Sequence, residues 1–203
     1  MKTNTRIVLV ALAAAVLGAG VGLWSSGPSP LLRTEWGQRL LQGAASATAP
    51  PPPAGVTIAG RGDAMPALEL PDLGGGTLSL PGAYAGRPIL INFWASWCGP
   101  CIEEMPELDR FASSQDANGT QVVGIALDDA EAVQAFLQRI PVRYPIALDR
   151  PGPSDSGVRL GNARGVLPYT VLVDRSGHIA KQKIGPFAHG EIEGWVGRIQ
   201  TAD

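Results

Sequence analysis

Hydrophobic and polar positions divide the 203-residue chain into three regimes. The first is an uncharged apolar run, Ile7 to Trp24, with Lys2 and Arg6 ahead of it. Its roughly 18 residues lie near the lower limit for spanning ~30 Å of hydrocarbon. Basic residues before the run predict a cytoplasmic N-terminus, with the rest of the chain sent across the membrane. A cleaved signal peptide and a retained anchor both fit. Gly18 and Gly20 are small enough to mark a cleavage site but sit inside the run, and Ala45-Ser46-Ala47 is far downstream. The run also exceeds the ~7–15 apolar residues of a signal peptide, so residues 1–24 are expected to form a signal-anchor.

The second regime, residues 25–64, is rich in Pro, Ala and Gly and reads as a linker. Within it Leu31 to Gln42 has the pattern of a short amphipathic helix, whose leucines and Trp36 suit a membrane surface. The Ala-rich piece and Pro50–Pro53 read as a tether, the proline run favouring extended polyproline II.

The third regime, residues 65–203, has the size of one domain. "LELPDLGGGTLSL" alternates on both sides of Gly74-Gly75-Gly76, the pattern of a β-hairpin. "PILINFWA" is almost continuously apolar, as in a strand covered on both faces. "CGPCIEEMPELDRFASS" places Leu108 and Phe111 at helical spacing, with Pro106 expected to kink the helix. "QVVGIAL" predicts a second buried strand, after which Asp128 or Asp129 caps a helix that Pro141 stops. "PIALD" suggests a short strand, and "GVRLGNARGV" a helical turn. "PYTVLVDRSGHIAKQKIG" predicts two strands about Ser176-Gly177, and "GEIEGWVGRIQ" a helix with Ile192, Trp195, Val196 and Ile199 on one stripe. This order implies an α/β class, a mixed central sheet flanked by helices. Functional residues then belong at the carboxyl ends of the parallel strands, where Cys98 falls.

Composition narrows the function. Net charge is −2 with both signs interspersed, so the basic stripe of a nucleic-acid binder is missing. The two cysteines both lie in "WCGPC" and neither stands in a lipobox, which excludes a lipid anchor.

A CxxC can be a staple, half a metal site or a redox switch. Closing a loop over two residues constrains the unfolded chain little, which argues against a staple. Zinc needs four ligands, and copper would need a histidine; His178 and His189 are both remote in sequence. No metal or other cofactor is therefore expected. At the start of a helix, unpaired N–H groups and the dipole stabilise a thiolate, lowering the Cys98 pKa below ~8.5. Gly99 is expected to let the backbone turn closely, and Pro100 to occupy the first turn without wasting an N–H. Cys98 is then the attacking thiolate and Cys101, one turn on, the resolving thiol. Trp97 is expected to roof the pair and limit water on one side.

"LINFWASWCGPC" together with "GVLPYTVLVDRSGHIA" resembles the active-site strand and later segment of thioredoxin-fold proteins. The chain is most similar in pattern to the membrane-anchored TlpA/ResA-like branch, related to CcmG/DsbE. The resemblance covers about Met65 to Thr201 and implies a thioredoxin fold with an added N-terminal β-hairpin. It also implies a cis bond at Pro168, with Leu167 pairing to a substrate backbone. One departure matters. Cytoplasmic thioredoxins carry a buried Asp where this chain has Asn92, which cannot take a proton. Glu104, on the helical face of Cys101, is the expected replacement, as the branch carries an acid there. Glu103 is expected at the surface, Trp94 in the core, and Tyr169 either in the substrate groove or in packing.

The expected function is thiol–disulfide exchange in an extracytoplasmic, membrane-tethered monomer. It would reduce disulfides of exported client proteins, as in cytochrome c maturation, and be re-reduced by a membrane thiol electron donor. Alternatives are a peroxidase of peroxiredoxin type, although the proline that precedes a peroxidatic cysteine is missing from this chain, and a copper-handling thiol module.

Overall fold

Ile89–Trp94 is buried at every position and forms the central strand of a five-stranded sheet. The computed structural model describes residues 34–51 and 53–200. In chain order its elements are α1 (Glu35–Thr48), β1 (Leu68–Pro71), β2 (Thr77–Leu80), β3 (Ile89–Trp94), α2 (Gly99–Ser114), β4 (Gln121–Leu127) and α3 (Ala130–Arg139). They continue with β5 (Ile146–Asp149), α4 (Ser156–Arg159), β6 (Tyr169–Val173), β7 (Ile179–Ile184) and α5 (Glu191–Gln200). The sheet order is β5-β4-β3-β6-β7, with β3, β4 and β5 parallel and β6 and β7 antiparallel. The mixed sheet is as expected, and β1 and β2 pair separately as the expected hairpin.

The chain steps in one direction from β3 to β4 to β5, so right-handed crossovers put α2 and α3 on one face. Leu90 and Trp94 meet α2, α3 and α5 there, through Met105, Leu108, Phe136, Ile192 and Trp195. Ile89, Ile91 and Phe93 point the other way, toward hairpin residues Leu68 and Leu80 and toward Leu160 after α4. Alternation along one strand thus feeds two separate cores, which is why the run reads as continuously apolar. Helix α2 continues through Pro106, which is exposed on it.

The expected anchor, residues 1–24, lies outside the described residues. Among those that are described, no helix is long and apolar enough to cross a membrane. The expected linker, residues 25–64, contains more structure than its composition suggested. Helix α1 starts later than the amphipathic pattern but runs on through the alanines to Thr48, alanine being the best helix former. Gln42 Nε2 donates to Gly161 O at 2.6 Å, and Ala59 N to Arg159 O at 2.9 Å. Gly62 N and Asp63 O pair with Ile179, so a compact unit extends from Gln42 onward rather than from Met65.

Candidate active site

The carboxyl end of β3 feeds directly into α2, and the two cysteines straddle that junction. Cys98 is the N-cap of α2, and its carbonyl accepts from the N–H groups of Cys101 and Ile102, each at 3.1 Å. Cys98 and Cys101 are joined in a disulfide. Cys98 is 5 % exposed and Cys101 fully buried. Of the two sulfurs, Cys98 is therefore the one an approaching molecule meets first. When the pair is reduced, the N-terminal charge of α2 favours the Cys98 thiolate.

Glu104 lies three residues beyond Cys101 and is 2 % exposed. Its Oε1 accepts from Asn92 Nδ2 at 2.8 Å and its Oε2 from the Phe187 N–H at 2.9 Å. Burial pushes this carboxyl up from 4.5 to about 7, opposed by the Phe187 and Asn92 hydrogen bonds and by Lys183, with Glu191 adding to the rise. A buried acid near neutrality, one helical turn from a buried thiol, is suited to exchanging a proton with it. Asn92 does not titrate but holds the acid in place, and it also donates to Thr170 Oγ1 at 3.1 Å. Glu103 is exposed, as expected.

The motif residues around the pair hold some surprises. Trp97 is 72 % exposed, so most of its surface faces solvent. It helps line a groove of about 410 Å³ together with Pro50, Leu127, Pro153, Arg164 and Leu167. Pro100 occupies the first turn of α2. Gly99 has no unusual φ, and a Cβ built on it meets nothing within 4 Å. The close turn expected at Gly99 therefore brings nothing against this position, which has room for a Cβ. The Leu167–Pro168 peptide is cis, and Leu167 is partly buried beside the groove. Tyr169 is fully buried and donates to Leu160 O at 2.9 Å, which makes it a packing residue. Trp94 is fully buried as well. Neither histidine is near the pair through any bond: His178 Nδ1 meets Ser176 Oγ, and His189 Nδ1 meets Glu107 Oε2.

Several contributors were not singled out from sequence. Asp128, considered only as a helix cap, accepts from Ser96 N at 3.0 Å and from Ser96 Oγ at 2.6 Å. That ties the loop carrying Trp97 and Cys98 to the end of β4. Burial raises the Asp128 carboxyl, but the Ser96 and Asp129 bonds outweigh it and hold the group below its ordinary value. Phe187, Lys183 and Glu191 surround Glu104 from β7, α5 and the turn between them. The available signal was the pair Lys181 and Lys183, two apart on a strand and so facing one side together.

Comparison with known proteins places residues 61–195 in the match to the Redoxin family model. The thiol–disulfide oxidoreductase ResA of Bacillus thuringiensis (strain Al Hakam) is 28 % identical over 141 residues, covering 68 % of this chain and 78 % of that protein. A solved structure of a candidate thiol:disulfide interchange protein DsbE from Chlorobium tepidum is 29 % identical, with a TM-score of 0.61, over 71 % of this chain and 98 % of that one. A thioredoxin-related protein from Neisseria meningitidis serogroup B is 31 % identical, with a TM-score of 0.55, over 63 % of this chain and 94 % of that one.

Proposed function

This chain belongs to the Redoxin family, in its TlpA/ResA-like thioredoxin-fold branch, and is a thiol–disulfide oxidoreductase; we propose that it works as a reductase of disulfides in exported client proteins. The observation that carries this reading is the Cys98–Cys101 pair at the start of α2 with the buried acid Glu104 one turn further on.

The cycle starts from the dithiol. The Cys98 thiolate attacks one sulfur of a client disulfide, forming a Cys98–client disulfide and releasing the other client sulfur as a thiolate. The Cys101 thiol then gives its proton to the Glu104 carboxylate. The Cys101 thiolate attacks the Cys98 sulfur, closing the internal disulfide and expelling the second client thiolate. Two electrons have moved from the enzyme dithiol to the client, whose thiolates take up two protons. A dithiol donor returns the two electrons, because an oxidising compartment will not keep the pair reduced. Glu104, with its pKa near 7, both accepts the Cys101 proton here and returns it on re-reduction.

The groove beside Trp97 and Leu167 is suited to hold an extended client segment. Lys2 and Arg6 ahead of the Ile7–Trp24 run support a single-pass anchor in the inner membrane, with the domain on the extracytoplasmic side and a membrane thiol protein as electron donor. Clients of the cytochrome c maturation type follow from the resemblance of "LINFWASWCGPC" and "GVLPYTVLVDRSGHIA" to the TlpA/ResA-like branch.

Trapping tests the reading. In Cys101→Ser the mixed disulfide has no resolving thiol, so covalent client adducts on Cys98 should accumulate and disappear on adding dithiothreitol. Absence of adducts in cells, with the variant folded and Cys98 reduced, contradicts the reductase cycle. Catalytic peroxide consumption by the purified protein would instead favour a peroxidase.

A further inference from the structure

The cycle requires Glu104 to lose and regain a proton near neutrality, and the surroundings of its carboxyl show what sets that affinity. Gly124, Asn92, Thr170 and Lys183 lie side by side across β4, β3, β6 and β7. In-register partners share a face of the sheet, and Asn92 in this row bonds Glu104 of α2. Asn92 and Thr170 are neutral and joined to each other, so the row's charge sits at its end, on Lys183.

The Lys183 side chain is 2 % exposed, and its Nζ lies 3.1 Å from Oε1 of Glu191 on α5. The same Nζ lies 5.1 Å from the ring centroid of Phe187, whose own N–H donates to Glu104. Cation and acid therefore contact the same residue, one at its ring and the other at its backbone N–H. The titratable groups gathered about Glu104 are Lys183 from β7, Glu191 from α5, Tyr144 from the segment before β5 and Glu107 on α2 itself, joined by Cys101 only when the disulfide is reduced. Glu107 is turned outward, to Arg110, His189 and Gly190 N.

A buried ion pair is weak evidence for stability, since apolar residues of similar volume often serve a fold as well. Its placement against a functional acid suggests another use. We propose that the Lys183–Glu191 pair tunes the proton affinity of Glu104, which makes Lys183 and Glu191 positioning residues of the thiol chemistry. The lysine cation favours the Glu104 carboxylate, and the Glu191 anion offsets part of that effect. The two partners thus act on one group with opposite signs.

This inference rests on the Glu104 reading for its consequence in the cycle but not for its test. In the oxidised full-length protein, labelled with ¹³C at glutamate side chains, the Glu104 titration is followed by NMR. Lys183→Met should move its midpoint up by roughly one pH unit, and Glu191→Gln should move it down. The double variant should return close to the wild type. In the reduced protein the pH dependence of mixed-disulfide resolution should shift in the same directions. Unchanged titration in both single variants, or shifts of the same sign in both, overturns the proposal, because simple loosening of the site moves both alike. If Lys183→Met does not fold, Glu191→Gln decides alone: a fall supports the pair's role and an unmoved or raised midpoint refutes it. Insulin reduction by the wild type is scored separately, so its absence would sink the reductase reading while leaving the titration result intact.

Discussion

Glu104 keeps its proton in the folded protein at pH values where the unfolded chain has already lost it. Its folded pKa, about 7, lies above the ordinary 4.5 because burial disfavours the charged form. Between those values the native state binds more protons than the unfolded state, so stability falls as pH rises. The contribution is fully present below about pH 4.5 and is gone above about pH 7, an effect on the order of 3 kcal/mol at most. Glu104→Gln keeps the shape and cannot ionise. Asn92 Oδ1, which has no partner among the described residues, can accept from the new amide after a flip of Asn92. Denaturant titrations across pH 4.5 to 8 should therefore show a flatter profile in Glu104→Gln, with the variant more stable than wild type at pH 8. A profile parallel to wild type would place the titration elsewhere. The acid itself was legible in sequence, since one helical turn from Cys101 fixes its face. Its partner Phe187 was not, because a backbone N–H in a turn 83 residues away leaves no mark on residue type.

At the scale of elements, the reactive loop is held from two strands. β3 delivers Ala95, Ser96 and Trp97, and β4 delivers Asp128, whose carboxylate takes both the N–H and the hydroxyl of Ser96. Asp128→Ala should cost about 1–3 kcal/mol, seen as a lower melting temperature. It should also slow insulin reduction at temperatures where the variant remains folded, as Cys98 loses its fixed relation to α2. An unchanged rate with a lowered melting temperature would make Asp128 purely structural. Alternation made β1 and β2 readable, continuous apolar runs β3 and β4, strand runs about a turn β6 and β7, and helical spacing the longer helices. The short β5 and α4 were readable through their flanking Pro and Gly. The use of Asp128 was hidden because a carboxylate after a strand looks the same whether it caps the next helix or braces a neighbouring loop. Here it is Asp129 that occupies the N-cap of α3, without a side-chain bond.

For the whole molecule, three-dimensional neighbours decide what composition cannot. Alanines from Ala44 to Ala47 and the glycines near Gly60 have the composition of a leash, yet the segment from Gln42 onward is tied down by bonds to Gly161, Arg159 and Ile179. Those partners lie a hundred residues or more away in sequence, beyond the reach of any local pattern. Trp97 shows the converse: an exposed aromatic in sequence gives no hint that Pro50, Leu127 and Leu167 line a groove with it. The chemistry still comes down to one sulfur at the head of one helix. Its most direct measurement is the alkylation rate of Cys98 in the reduced protein from pH 5 to 9, with Cys101 followed separately by mass spectrometry. A midpoint for Cys98 at least one unit below the ~8.5 of free cysteine, with Cys101 reacting far more slowly, is the predicted result. A Cys98 that reacts like free cysteine, or no faster than Cys101, would contradict it.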